Sequence, residues 1–272
     1  MKTIHIVCLG ILLGLCACSP RETPKTALEN ARRLAEQGRY EEALQKHLWF
    51  HEHALEQDRS YYGVRLSFAL VQWVELGGKY PPALDALKRI RDRDTAQLVA
   101  GRTDRGILHD VASINDCLHE PEATVEAYKM IETSHPEFAA RVYDLVDEAL
   151  VDAAAYDLAR KYLGDPRQRF ATAKRQYDKG ISFAARHTEH SDATREAFES
   201  IFTDRVLRLI AVLEGTGDQK LARELQAEAL TVLDSPRLRA SLDHPIIEPG
   251  AAPNGGPAAP FDNTHLTEGR HR

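Results

Sequence analysis

The chain has 272 residues, with 35 Lys and Arg against 41 Asp and Glu, a net charge of −6. An acidic balance repels phosphate backbones and offers no polybasic strip, so nucleic acid is excluded as an expected partner. Of the four cysteines, three lie at positions 8, 16 and 18, so only Cys117 belongs to the body and no disulfide framework is available to it.

The first twenty residues stand apart. Lys2 is followed by a largely apolar run, Ile4 to Leu15, too short for a comfortable membrane span, and by Leu15-Cys16-Ala17-Cys18-Ser19-Pro20. A small residue followed by Cys at the end of a short apolar run resembles the lipobox of bacterial lipoproteins. The resemblance covers residues 1–18 and implies cleavage after Ala17, with diacylglyceryl and amide-linked acyl groups (a palmitate-type modification) on Cys18. Cys16 at the −2 position departs from the usual small residue. Ser19, which is not Asp, points in Gram-negative members of that group to the outer membrane, facing the periplasm. Two or more acyl chains anchor stably where one binds marginally. Residues 18–23 then form a tether of at most about 17 Å, which would hold the body close to the membrane.

From residue 24 to 244 the chain reads as one all-α domain. Ala, Leu, Glu and Arg dominate, and apolar residues recur at helical spacing. Helices are predicted near 24–37, 40–56, 60–76, 81–92, 104–118, 121–133, 137–162 (one or two helices), 166–186, 192–214 and 218–233. Residues 94–103 carry no clear pattern. Pro24, Pro81, Pro121, Pro166 and Pro236 stand where helices should begin, since proline at the first helical position loses no hydrogen bond. Thr23, Asp165 and Ser235 are suitable N-caps. Gly77-Gly78 reads as a turn.

An internal similarity runs through this body. Leu34-Ala-Glu-Gln-Gly38-Arg-Tyr40-Glu-Glu-Ala43-Leu44 matches Val74-Glu-Leu-Gly-Gly78-Lys-Tyr80-Pro-Pro-Ala83-Leu84, and Gly217-Asp218-Gln-Lys-Leu-Ala222-Arg-Glu-Leu225-Gln-Ala-Glu-Ala229 is a third copy. Glu120-Pro-Glu-Ala123-Thr-Val-Glu-Ala127 is a weaker fourth. These segments resemble the tetratricopeptide repeat, with a spacing of about 40 residues rather than that family's 34. The resemblance implies an α-solenoid of stacked helical hairpins that holds a protein or peptide on a concave face. In that register Leu28, Arg32 and Glu36, then Phe68, Gln72 and Glu75, line the face.

Candidate chemistry is sparse. His47 and His51 stand four apart on one helix face, with His53 beside them, which could serve a metal; they also fall on the helix's apolar stripe, which favours packing. His187-Thr-Glu-His190 lacks the metallohydrolase spacing and reads as a connection. Cys117 reads as a small core residue, and Trp49 and Trp73 as core aromatics. No nucleophile elbow, phosphate loop or dinucleotide fingerprint occurs, so neither a cofactor nor an enzymatic activity is expected. From 245 to 272, five prolines among Gly, Ala, Asn and His read as a disordered tail. The expected role is a lipid-anchored envelope adaptor; the alternatives are a metal-dependent envelope hydrolase around His47, His51 and His53, or a helical binder of a small molecule or lipid.

Overall fold

A computed structural model describes residues 22–186 and 191–243, with side chains to residue 240. The described residues are all-α, without a strand. Cys18, the tether up to residue 21, the stretch 187–190 and the segment from 244 onward lie outside them. Among the described residues, no helix is long and apolar enough to cross a membrane.

The stretch expected to be one domain divides into two compact units, one ending at Leu87 and the other beginning at Lys88. The first holds α1 (Pro24–Glu36), α2 (Tyr40–Gln57), a 3-10 turn, α3 (Tyr62–Leu66), α4 (Phe68–Lys79) and the start of α5 (Pro81–Val99). Thr23 caps α1: its hydroxyl accepts from Thr26 N at 3.2 Å while Thr26 Oγ1 accepts from Thr23 N at 2.9 Å. Ala27, Ala31, Ala43 and Ala54 are fully buried, small side chains that let α1 and α2 approach closely. Phe50 packs with Ala27, Ala54 and Ala69. The Trp73 indole N–H donates to Ala83 O at 2.9 Å inside the core, joining α4 to α5.

The helix expected at 60–76 is broken. Ser67 leaves helical geometry (φ −133°, ψ −93°), and its hydroxyl donates to Gly63 O at 2.7 Å, the local competition that serine offers a helix. The Gly77-Gly78 turn is also corrected. Both residues are helical, and the chain reverses at the single residue Tyr80. Gly77 is needed for closeness rather than turning: a Cβ there would meet Leu84 Cγ at 2.3 Å.

The second unit continues α5 and adds α6 (Arg105–Cys117), α7 (Pro121–Ser134), α8 (Pro136–Val142), α9 (Asp147–Asp152), α10 (Tyr156–Leu163), α11 (Pro166–Arg186), α12 (Ser191–Gly215), α13 (Gln219–Val232) and α14 (Pro236–Asp243). The 94–103 stretch is the last turn of α5 and its exit; Leu98 there is fully buried. The 137–162 stretch is α8, a 3-10 turn, α9 and α10. One core runs through this unit, with Leu108, Tyr128, Ile131, Leu150, Phe202 and Ile210 near its centre. Two buried polar side chains fasten neighbouring helices to it: Tyr128 Oη donates to Ala139 O at 2.9 Å, and Gln226 Nε2 donates to Leu238 O at 2.8 Å.

One turn recurs. At Gly38, His119, Ala154 and Gly217 the chain takes positive φ (74°, 57°, 51° and 83°), and after one further residue the next helix begins. Each time the left-handed residue's N–H reaches the carbonyl three back and the following N–H the carbonyl five back. The pairs are Gly38–Ala35 and Arg39–Leu34, His119–Asp116 and Glu120–Asn115, Ala154–Val151 and Ala155–Leu150, and Gly217–Glu214 and Asp218–Leu213, at 2.8–3.1 Å. The residue after it sits at nearly one conformation, ψ 50–62°. Five places beyond the left-handed residue the side chain is small and buried: Ala43, Thr124, Ala159 and Ala222. Four before it stand Leu34, Asn115, Leu150 and Leu213, all buried.

Ala154 carries a Cβ in a conformation that disfavours one. We expect Gly38→Ala and Gly217→Ala each to lower stability by about 1 kcal/mol, and Ala154→Gly to raise it by about 0.5 kcal/mol. Urea unfolding midpoints measure both; a loss on Ala154→Gly would mean that the Ala154 methyl packs more than it strains.

Candidate functional site

Helices α11 and α12 have 21 and 25 residues, whereas α10 and α13, which pack against α12, have 8 and 14. At 1.5 Å per residue, α12 is about 38 Å long and α13 about 21 Å. A helical pair that outruns its neighbours cannot bury every apolar side chain it carries. Here the buried residues of α12 begin at Phe202, and the turns before it are open or half-buried.

That end of the pair holds an apolar groove of about 740 Å³. Tyr177, Phe183, Phe198, Ile201 and Phe202 supply its apolar lining. Phe183 and Ile201 are 46% and 44% exposed, among the most exposed large apolar residues described. Phe198 lies directly over Gly180, where a Cβ would stand 2.3 Å from the ring. Gly180 therefore lets the two helices close to ring-on-backbone distance and sets the groove's depth. The rim carries Lys179, Arg186 and Arg205; its acid, Asp178, is held by Lys174 at 2.9 Å.

A second cleft, of about 550 Å³, shares Ala173, Gln176 and Arg205 with the groove and continues it toward α9. Its character is polar. The Arg169 guanidinium covers the Tyr143 ring at 4.8 Å and donates to Leu163 O at 2.7 Å. Arg208 Nη1 donates to Glu148 Oε2 at 2.8 Å, while its Nε is buried without a hydrogen-bond partner, 4.0 Å from Asp147 Oδ2. Burial raises the Asp147 pKa above the usual carboxylate range, against the pull of Arg208.

The residues singled out from the sequence fall elsewhere. Leu28, Arg32 and Glu36 lie on α1, and Phe68, Gln72 and Glu75 on α4, two helices that pack together in the first unit. Leu28 is half-buried against the Phe50 cluster, and Arg32 and Glu36 pair with each other at 3.1 Å across one helical turn. Phe68 is 56% exposed and Glu75 exposed, whereas Gln72 Oε1 is buried with no hydrogen-bond partner.

His47 and His51 are core residues. The His47 ring stacks on Trp73 at 5.5 Å, and His51 meets the same indole edge-on at 6.0 Å. Arg65 donates to His51 O at 2.9 Å and reaches His51 Nε2 at 3.1 Å. His53 turns away to Glu56, at 3.2 Å, and to Trp49. The three imidazoles therefore do different jobs. Cys117 is half-buried, and burial, with Asp116 beside it, pushes its thiol up to about 11, which keeps it protonated and a poor nucleophile at neutral pH. His187 and His190 lie outside the described residues.

Sequence reasoning missed the groove. Its signal was α12 itself, whose apolar residues are spread around the helix instead of forming one stripe, the mark of a helix contacted on more than one side. No protein-family model matches the chain, and a search of curated proteins finds no match to it.

Burial holds the His47 pKa near 4, below its ordinary value of 6.5. The unfolded chain therefore binds a proton that the folded chain refuses, and stability present above pH 6.5 is lost as pH falls toward 4. The full loss is about 3 kcal/mol. His47→Phe keeps a ring on Trp73, and the slope of stability with pH over this window should flatten by that amount. An unchanged slope would place the titrating group elsewhere. Residue-resolved mass spectrometry tests the thiol: alkylation of Cys117 at pH 8 should run about a hundredfold slower than that of a free cysteine.

Proposed function

We propose that this chain is a cell-envelope lipoprotein, anchored through acylated Cys18 and facing the periplasm, whose helical body serves as a protein-binding adaptor. The observation that carries the reading is the recurrent left-handed turn, with a buried small residue five places on and a buried Leu or Asn four places before it. A helical hairpin unit repeated with the same exit geometry is the construction of tetratricopeptide-like solenoids. Such units expose extended surfaces for other chains because each one buries only its neighbours' faces.

The exposed apolar residues support the same reading. Phe68 and Val71 on α4, and Phe183 and Ile201 on the α11–α12 pair, are large side chains left to solvent at a cost that a partner would remove. Residues 1–18 supply the location: a short apolar leader ending at Cys18 delivers and tethers the body, and the lipid does the anchoring that an acidic surface cannot do.

The test is in-cell crosslinking of the native protein and of Cys18→Ala, followed by purification and mass spectrometry. The expected result is an acylated N-terminal Cys18 peptide and a partner recovered in stoichiometric amount, lost in Cys18→Ala. A partner recovered equally from both forms would discard the anchor as part of the function. No partner from either form would discard the adaptor.

A further inference from the structure

We infer that the α11–α12 groove is the docking site of an acidic amphipathic segment of another protein; the inference rests on the adaptor reading and gives its partner a chemistry. Two features of the face point the same way. The lining is aromatic and aliphatic, with Phe183 and Ile201 exposed at its lip and Phe198 set over Gly180 at closest approach. The rim is basic in a chain of net charge −6: Lys179, Arg186 and Arg205 surround it, and the Asp178 carboxylate is already neutralised by Lys174.

An occupant that satisfies both carries apolar side chains on one side and carboxylates beside them. The apolar side chains fill the groove, and the carboxylates meet Lys179, Arg186 and Arg205 at the rim, where complementary charge sets specificity and encounter rate. The shape selects a protein segment over a membrane surface. The groove is concave, and a flat lipid interface would touch Phe183 and Ile201 at the lip but would not enter to fill it.

Two synthetic amphipathic peptides, identical except for Glu or Lys on the polar face, test this with the full chain by fluorescence anisotropy. The Glu peptide should bind and weaken as salt rises; the Lys peptide should not bind. Ile201→Lys and Arg205→Glu should each weaken the Glu peptide by about tenfold or more, with thermal midpoints unchanged because both positions are exposed. Should Ile201→Lys fail to fold, Phe183→Ser reads the same lip. Equal binding of the two peptides, binding by neither, or indifference to the variants would overturn the proposal. So would adsorption to phosphatidylglycerol vesicles that Ile201→Lys abolishes, unaccompanied by peptide binding. To separate this failure from that of the adaptor, p-benzoylphenylalanine is placed at Ile201 or at Phe68 for in-cell photocrosslinking. A partner trapped from position 68 and not from 201 keeps the adaptor and removes this groove. Nothing trapped from either position removes both. Trapping at 201 supports the proposal only when the crosslinked segment of the partner is acidic and amphipathic.

Discussion

The constraint on which the rest depends is the left-handed residue that closes a helix and hands the chain to the next one. Its two backbone hydrogen bonds satisfy carbonyls that a helix end leaves orphaned, and they reverse the chain within two residues. The second helix must then run back along the first at close range. That closeness dictates the residue five places later: Ala43, Ala159 and Ala222 are fully buried because a larger side chain would hold the helices apart. It also dictates the residue four places before, where Leu34, Leu150 and Leu213 cover the junction. The fourth turn obeys the same rule with different chemistry. Asn115 stands where the others have Leu and Thr124 where they have Ala, and Asn115 Nδ2 donates to Thr124 Oγ1 at 3.0 Å. A buried amide is costly when unpaired, so the two polar side chains hold their places together. The neighbouring N-cap, Glu120, is gripped in turn by Lys88 and Arg91 of α5.

Short turns leave helix length as the main variable, and length decides which surface is exposed. In the first unit α1 and α2 bury their apolar faces against each other and against α4. In the second unit α11 and α12 outrun α10 and α13, and among the described residues the excess turns carry exposed apolar side chains. The groove at Phe183, Phe198 and Ile201 is that excess. Its basic rim and its continuity with the Arg169 and Arg208 cleft give the exposed face a chemical preference that bare hydrophobicity lacks.

Much of the helical order was legible along the chain. Pro24, Pro81, Pro121, Pro166 and Pro236 each open a helix, and Thr23 caps α1. Gly38 and Gly217 adopt the left-handed conformation that their place in the repeat implied. The repeat was misread where glycine and turn part company. Gly78, aligned with Gly38, is helical, and the left-handed residues of the two remaining turns are His119 and Ala154. The Ala154 turn still carried a trace: Tyr156 and Ala159 follow it at the offsets of Tyr40 and Ala43 after Gly38. The weaker copy at 120–127 was read through Ala123, but the buried residue equivalent to Ala43 is Thr124. Histidines 47 and 51 were legible as packing residues because both fall on the apolar stripe of α2; that they share one indole, Trp73, was not.

By itself the sequence determined the fold class and the proline-marked helix starts, because these follow from backbone chemistry and 3.6-residue periodicity within a few turns of chain. Only the tertiary structure decided where α12 runs out of neighbours, which aromatic rings meet, and which arginine nitrogen is left without an acceptor. Those outcomes depend on residues far apart in the chain arriving side by side, and periodicity fixes which face of a helix is apolar without fixing what will cover it.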